Sequence, residues 1–107
     1  MSEPASSLTG NLRQMIAVLE AERQALAGLD ADALTEVARD KEKLCDAIAP
    51  FGPEALDPQV RDLAEAARSL NEVNRRVRNL LAANITTRLE ALGAARPAYR
   101  VRGATIA

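Results

Sequence analysis

After Pro58 neither proline nor glycine occurs again until Gly93. That gap constrains the fold more than any other feature of the chain. A stretch of about 35 residues without a backbone breaker, rich in Ala, Leu, Arg and Glu, predicts one continuous helix over 58–92, roughly 52 Å long at the usual rise of an α-helix. Asp57 followed by Pro58 predicts its start, because proline at the first helical position gives up an N–H that would have no partner anyway. Val60, Leu63, Ala67, Leu70, Asn74, Val77, Leu81 and Ile85 fall on one face of this helix, about 100° wide.

Two shorter helices precede it. Leu8, Leu12, Met15, Ile16, Leu19 and Leu26 share a face over about 7–27, with Ser6 or Ser7 as the cap and a stop near Gly28. Leu34, Val37, Ala38, Leu44, Cys45 and Ile48 form the stripe of a helix over about 31–49, opened by Asp30. The short link predicts an antiparallel hairpin. Pro50, Gly52 and Pro53 break the chain before the third helix. No strand pattern competes. The expected architecture is all-α: an antiparallel three-helix bundle over 7–92, after a flexible leader (1–6) and before a disordered basic tail (93–107). The third helix is too long for the hairpin to cover all of it.

With 107 residues the chain has the size of one domain, and its core must be aliphatic, because it holds one Tyr, one Phe and no Trp. The net charge of −1 argues against nonspecific nucleic-acid binding. Residues 1–57 hold 5 Lys/Arg against 11 Asp/Glu, residues 58–92 hold 6 against 4, and 93–107 hold three arginines and no acid. An acidic first half and a basic second half are compatible with packing against each other. A single cysteine excludes an internal disulfide, and no apolar run approaches the length of a membrane span. Without a basic, apolar leader the expectation is a soluble cytoplasmic protein.

Chemistry is sparsely represented. The chain contains no His, so Cys45 has no base and no metal-ligand companion of that kind. Cys45 is expected in the core. Carboxylates fall on solvent-facing helical positions, and there is no glycine-rich phosphate loop. The expectation is a protein that is not an enzyme and uses no cofactor, nucleotide or metal. Lys41, in the middle of the second stripe, either snorkels to water or pairs with Glu20 or Glu22 across the hairpin.

The third helix carries the informative pattern. Val73 and Leu80 lie 80–100° around from Leu63, to one side of the main face, and Asn84 bridges the two groups. The stretch 71–84, NEVNRRVRNLLAAN, holds four of the five asparagines. Asn74 reads either as a register-setting polar residue in a seam or as an amide that meets a partner; Asn79 reads as simply exposed. Two functions follow. The widened face receives a helix of another protein, with Val73, Leu80 and Leu81 as apolar grip. Alternatively the chain is a coiled-coil adaptor that homodimerises through Leu70, Val77 and Leu81. Sequestration of some other helical regulator uses the same chemistry.

The order of LEAERQAL, LTEVARDKEKL, LNEVNRRVRNLL and YRVRG resembles the FlgN-like flagellar export chaperones, over about residues 8–103. The resemblance implies a small cytoplasmic chaperone of the flagellar type III secretion system. Such a protein binds the C-terminal helical segment of hook–filament junction proteins and delivers them to the membrane export gate. It implies a substrate surface of Leu70, Val73, Asn74, Val77, Leu80, Leu81 and Asn84. It also implies docking to the export-gate platform protein through Tyr99, with Gly103 as the matching small residue. The Tyr99 ring on a basic tail suits such docking, since it buries much apolar area with few torsions to freeze, and flanking arginines steer it toward acidic surfaces.

Overall fold

A computed structural model describes residues 7–55 and 57–95. Three α-helices follow in order: α1 (Leu8–Gly28), α2 (Ala31–Ile48) and α3 (Pro58–Ala95). A short 3-10 turn, Pro53–Ala55, lies in the second link. No strand occurs among the described residues. The chain divides into two units, Met1–Arg75 and Arg76–Ala107. The first contains α1, α2 and the opening half of α3; the second contains the rest of α3.

The helix starts follow from side-chain oxygens. Ser7 Oγ accepts the Gly10 amide at 2.9 Å, Asp30 Oδ1 accepts that of Ala33 at 3.0 Å, and Asp57 Oδ1 accepts that of Val60 at 2.9 Å. Each satisfies a donor that the first helical turn leaves open. The first helix stops near Gly28, as expected. Gly28 is its last helical residue, and Leu29 takes the left-handed conformation, φ 52°. The Leu29 amide reaches the Leu26 carbonyl at 3.2 Å and the Asp30 amide that of Ala25 at 2.9 Å. This is a Schellman closure carried by a leucine in the place usual for glycine. Asp30 therefore ends α1 with its backbone and opens α2 with its side chain, which makes the two-residue link possible.

In the first unit the three helices pack in an up-down-up arrangement. One cluster of buried side chains joins Leu8 and Leu12 of α1 to Val60 of α3, with Ile48 of α2 against it. A second joins Met15 and Leu19, Leu44 and Ala67. Leu8 meets Val60 near the start of both helices and Leu19 meets Ala67 further along, so α3 runs parallel to α1 and antiparallel to α2. Burying an aliphatic side chain as fully as Leu19 contributes about 2 kcal/mol.

Two expectations need correction. Cys45 is exposed, not core. The covered strip of α2 is Leu34, Val37, Lys41, Leu44 and Ile48, alternating steps of three and four, and Ala38 and Cys45 fall one position outside it. The third helix does not stop before Gly93 but continues to Ala95. The leader 1–6 and the tail from 96 onward lie outside the described residues.

Candidate functional site

In α1 the seam positions are Leu8, Leu12, Met15, Leu19, Glu22 and Leu26; in the opening half of α3 they are Val60, Leu63, Ala67, Leu70 and Asn74. Each helix therefore places one polar residue in its apolar seam: Glu22, Lys41 and Asn74. The fold brings all three into one layer. Lys41 Nζ lies 3.3 Å from Glu22 Oε1 and donates to Asn71 Oδ1 at 2.9 Å. Asn74 Nδ2 donates to Glu22 Oε1 and to the Leu19 carbonyl, both at 2.9 Å. Glu22 is buried and Asn74 has no exposed surface, whereas the Lys41 side chain keeps 24% exposure, enough for its ammonium to remain partly hydrated. Such a layer adds little net stability but penalises every other register of the three helices, because a shift would strand a buried carboxylate or amide.

This layer corrects the expected partner surface. Asn74 is inside the first unit and its amide is used there, so it offers nothing to a docking helix. Leu70 is half-buried against the Met15, Leu19, Leu44 and Ala67 cluster. Val73, in contrast, is 38% exposed. Nearby Glu72 accepts from Arg75 at 3.1 and 2.6 Å. The hydrogen bond, and then the negative charge, raise the Arg75 guanidinium above its ordinary pKa.

The second unit holds the remaining expected positions. Val77 and Leu81 are half-buried, Asn84 is exposed, and Leu80 keeps 70% of its surface. Ile85, expected on the main face of the helix, is exposed, and so is the continuation that sequence reading overlooked, Leu89 and Leu92. Their spacing of four and three was visible, but it fell beyond the residues that the Asn-rich stretch drew attention to. Tyr99 and Gly103 lie outside the described residues.

No group of three or more His, Cys, Asp or Glu side chains is placed to hold a metal ion among the described residues. No helix among them is long and apolar enough to cross a membrane. The concave surfaces of the first unit are shallow; one, of about 310 Å³, lies over Met15, Leu19, Cys45, Ile48 and Ala67 with Lys41 and Asn71 at its edge. Neither a family model, nor a curated protein, nor a solved structure matches the chain.

Proposed function

We propose that this chain is a carrier of helical segments, of the kind its resemblance to the FlgN-like export chaperones implies: it binds the C-terminal helical segment of hook–filament junction proteins in the cytoplasm and hands them to the type III export gate. The observation that carries this reading is the exposure of large aliphatic side chains on α3, foremost Val73 and Leu80. Aliphatic side chains at helical spacing gain about 25 cal/mol per Å² when a partner removes them from water. An amphipathic segment laid along them acts as a further helix of the bundle, shielded from self-association while it is held. Binding uses Val73, Val77, Leu80, Leu81 and Asn84; Leu70 contributes what its half-buried side chain leaves open. Asn74 supports this surface from inside without touching the partner.

The test is a titration of a labelled junction-protein C-terminal segment, followed by fluorescence anisotropy, against the full chain and its Val73→Glu and Leu80→Glu variants. Each charge is expected to weaken binding at least about tenfold, a cost of about 1.4 kcal/mol or more, while helical content by circular dichroism stays the same. Unchanged affinity in both variants would refute the surface. Tyr99→Ala is expected to leave this affinity intact and weaken capture by the export-gate platform protein. Light scattering in the same buffer separates the rival reading, since a tight dimer broken by Leu80→Glu would make the chain a homodimeric adaptor.

A further inference from the structure

The apolar face of the second unit contains a cation. At about 100° per residue, Leu81, Ile85, Leu89 and Leu92 fall within an arc of roughly 80°. Arg88 sits at the edge of that arc, three residues after Ile85, four before Leu92 and seven after Leu81, so all three are its neighbours on the helix surface. Ile85, Leu89 and Leu92 are exposed, as is Arg88. No described carboxylate pairs with Arg88. The described part of this unit, residues 76–95, holds Arg76, Arg78 and Arg88 against the single acid Glu90.

Resting on the carrier reading above, we propose that the face around Arg88 selects its occupant by charge: it takes an amphipathic helix that presents a carboxylate among its apolar contact residues. A helix that covers Leu81, Ile85 and Leu92 removes water from around the Arg88 guanidinium. That loss is compensated only if the incoming surface supplies an acceptor, and a carboxylate matches the guanidinium fork in two parallel hydrogen bonds. A lysine or arginine at the same place meets like charge at reduced dielectric. The same logic disfavours a second copy in symmetric parallel pairing, which would set Arg88 against Arg88.

The experiment uses two synthetic amphipathic helices with identical apolar faces, one carrying Glu and the other Lys at the central contact position, titrated against the full chain and against Arg88→Glu and Arg88→Gln. The Glu peptide is expected to bind about tenfold or more tighter than the Lys peptide, from the swing between an attractive and a repulsive interfacial pair. Arg88→Glu should invert that order and Arg88→Gln should abolish it, and 0.5 M salt should shrink the preference. Arg88 is exposed, so none of these variants disturbs the fold, and circular dichroism verifies that. If both peptides bind equally well to the native chain, charge selection is refuted while the carrier reading stands. If neither peptide binds the native chain, or if the chain instead binds anionic lipid vesicles or dimerises through this face, both ideas are overturned.

Discussion

Replacing Asn74 by Ala tests the polar layer most directly, because both hydrogen bonds of that side chain go to residues of α1. The substitution removes the bond from Nδ2 to the Glu22 carboxylate, 2.9 Å, and the one to the Leu19 carbonyl, also 2.9 Å. A bond to a charged acceptor contributes about 1.5–3 kcal/mol and a neutral one about 1 kcal/mol. Two effects reduce the sum. Asn74 Oδ1 has no donor among the described residues, so deleting it returns about 1 kcal/mol of desolvation cost. Glu22 also keeps Lys41, and the Leu19 carbonyl, inside α1, keeps its helical donor. The net loss is about 2 kcal/mol, or roughly 8–15 °C in Tm for a domain of this size. Urea denaturation followed by circular dichroism measures it, with Asn74→Leu as the companion variant that deletes the same bonds without leaving a void. Both should lose stability, and neither should weaken peptide binding under conditions where the variant is folded. A change below about 0.5 kcal/mol in both, which is the size of an ordinary surface substitution, would refute the layer. So would a tenfold loss of affinity at unchanged stability, which would return Asn74 to the partner surface.

Two smaller tests concern local features. Leu29 is left-handed and 63% exposed, so Leu29→Gly relieves about 1 kcal/mol of backbone strain and returns a few tenths as unfolded-state entropy; a rise of about half a kcal/mol in unfolding free energy is expected, and a fall would show that the leucine side chain contributes contacts of its own. Exposure of Cys45 predicts complete labelling of the native protein by a thiol reagent without denaturant, and protection from it would place Cys45 back inside the bundle.

Local chemistry was the most legible part of the sequence. Ser7, Asp30 and Asp57 cap the helices they were expected to cap, because an N-cap depends on a side chain and a backbone amide three residues apart. Periodicity gave the helices and their number. It was less reliable one position off the seam: Cys45 follows Leu44, and hydropathy alone cannot say whether a covered strip is two or three residues wide. The end of α1 at Gly28 was legible, but nothing in the sequence announces that Leu29 will take the left-handed site that closes it. Lys41 was visible as an oddity, and Glu22 was one of two carboxylates placed within its reach. That Asn74 completes the same layer could not be read from pattern, because a polar residue at a seam position has the same periodicity whether it faces its own hairpin or a stranger.

That ambiguity recurs, reversed, in the second half of α3, and it explains why its exposed apolar face was only half read. Ile85, Leu89 and Leu92 continue the spacing that Val60, Leu63 and Ala67 begin, yet Val60 is 4% exposed and Leu92 57%. The amino-acid pattern is the same; the supply of neighbours differs. At 1.5 Å per residue the 38 residues of α3 extend about 57 Å, against about 32 Å for the 21 of α1. An apolar face on an isolated helix of some 20 residues contributes little to keeping that helix formed, since most helical stability in proteins comes from packing rather than propensity. On the carrier reading, a segment that carries Leu81, Ile85, Leu89 and Leu92 in register, with Arg88 among them, would gain both burial and helical stability from a partner. The buried clusters of the first unit end at Leu70 and include none of these side chains. On the carrier reading, the exposed apolar residues of the second unit are the ones a partner helix would cover, and Leu80, at 70% exposure, would gain most from it.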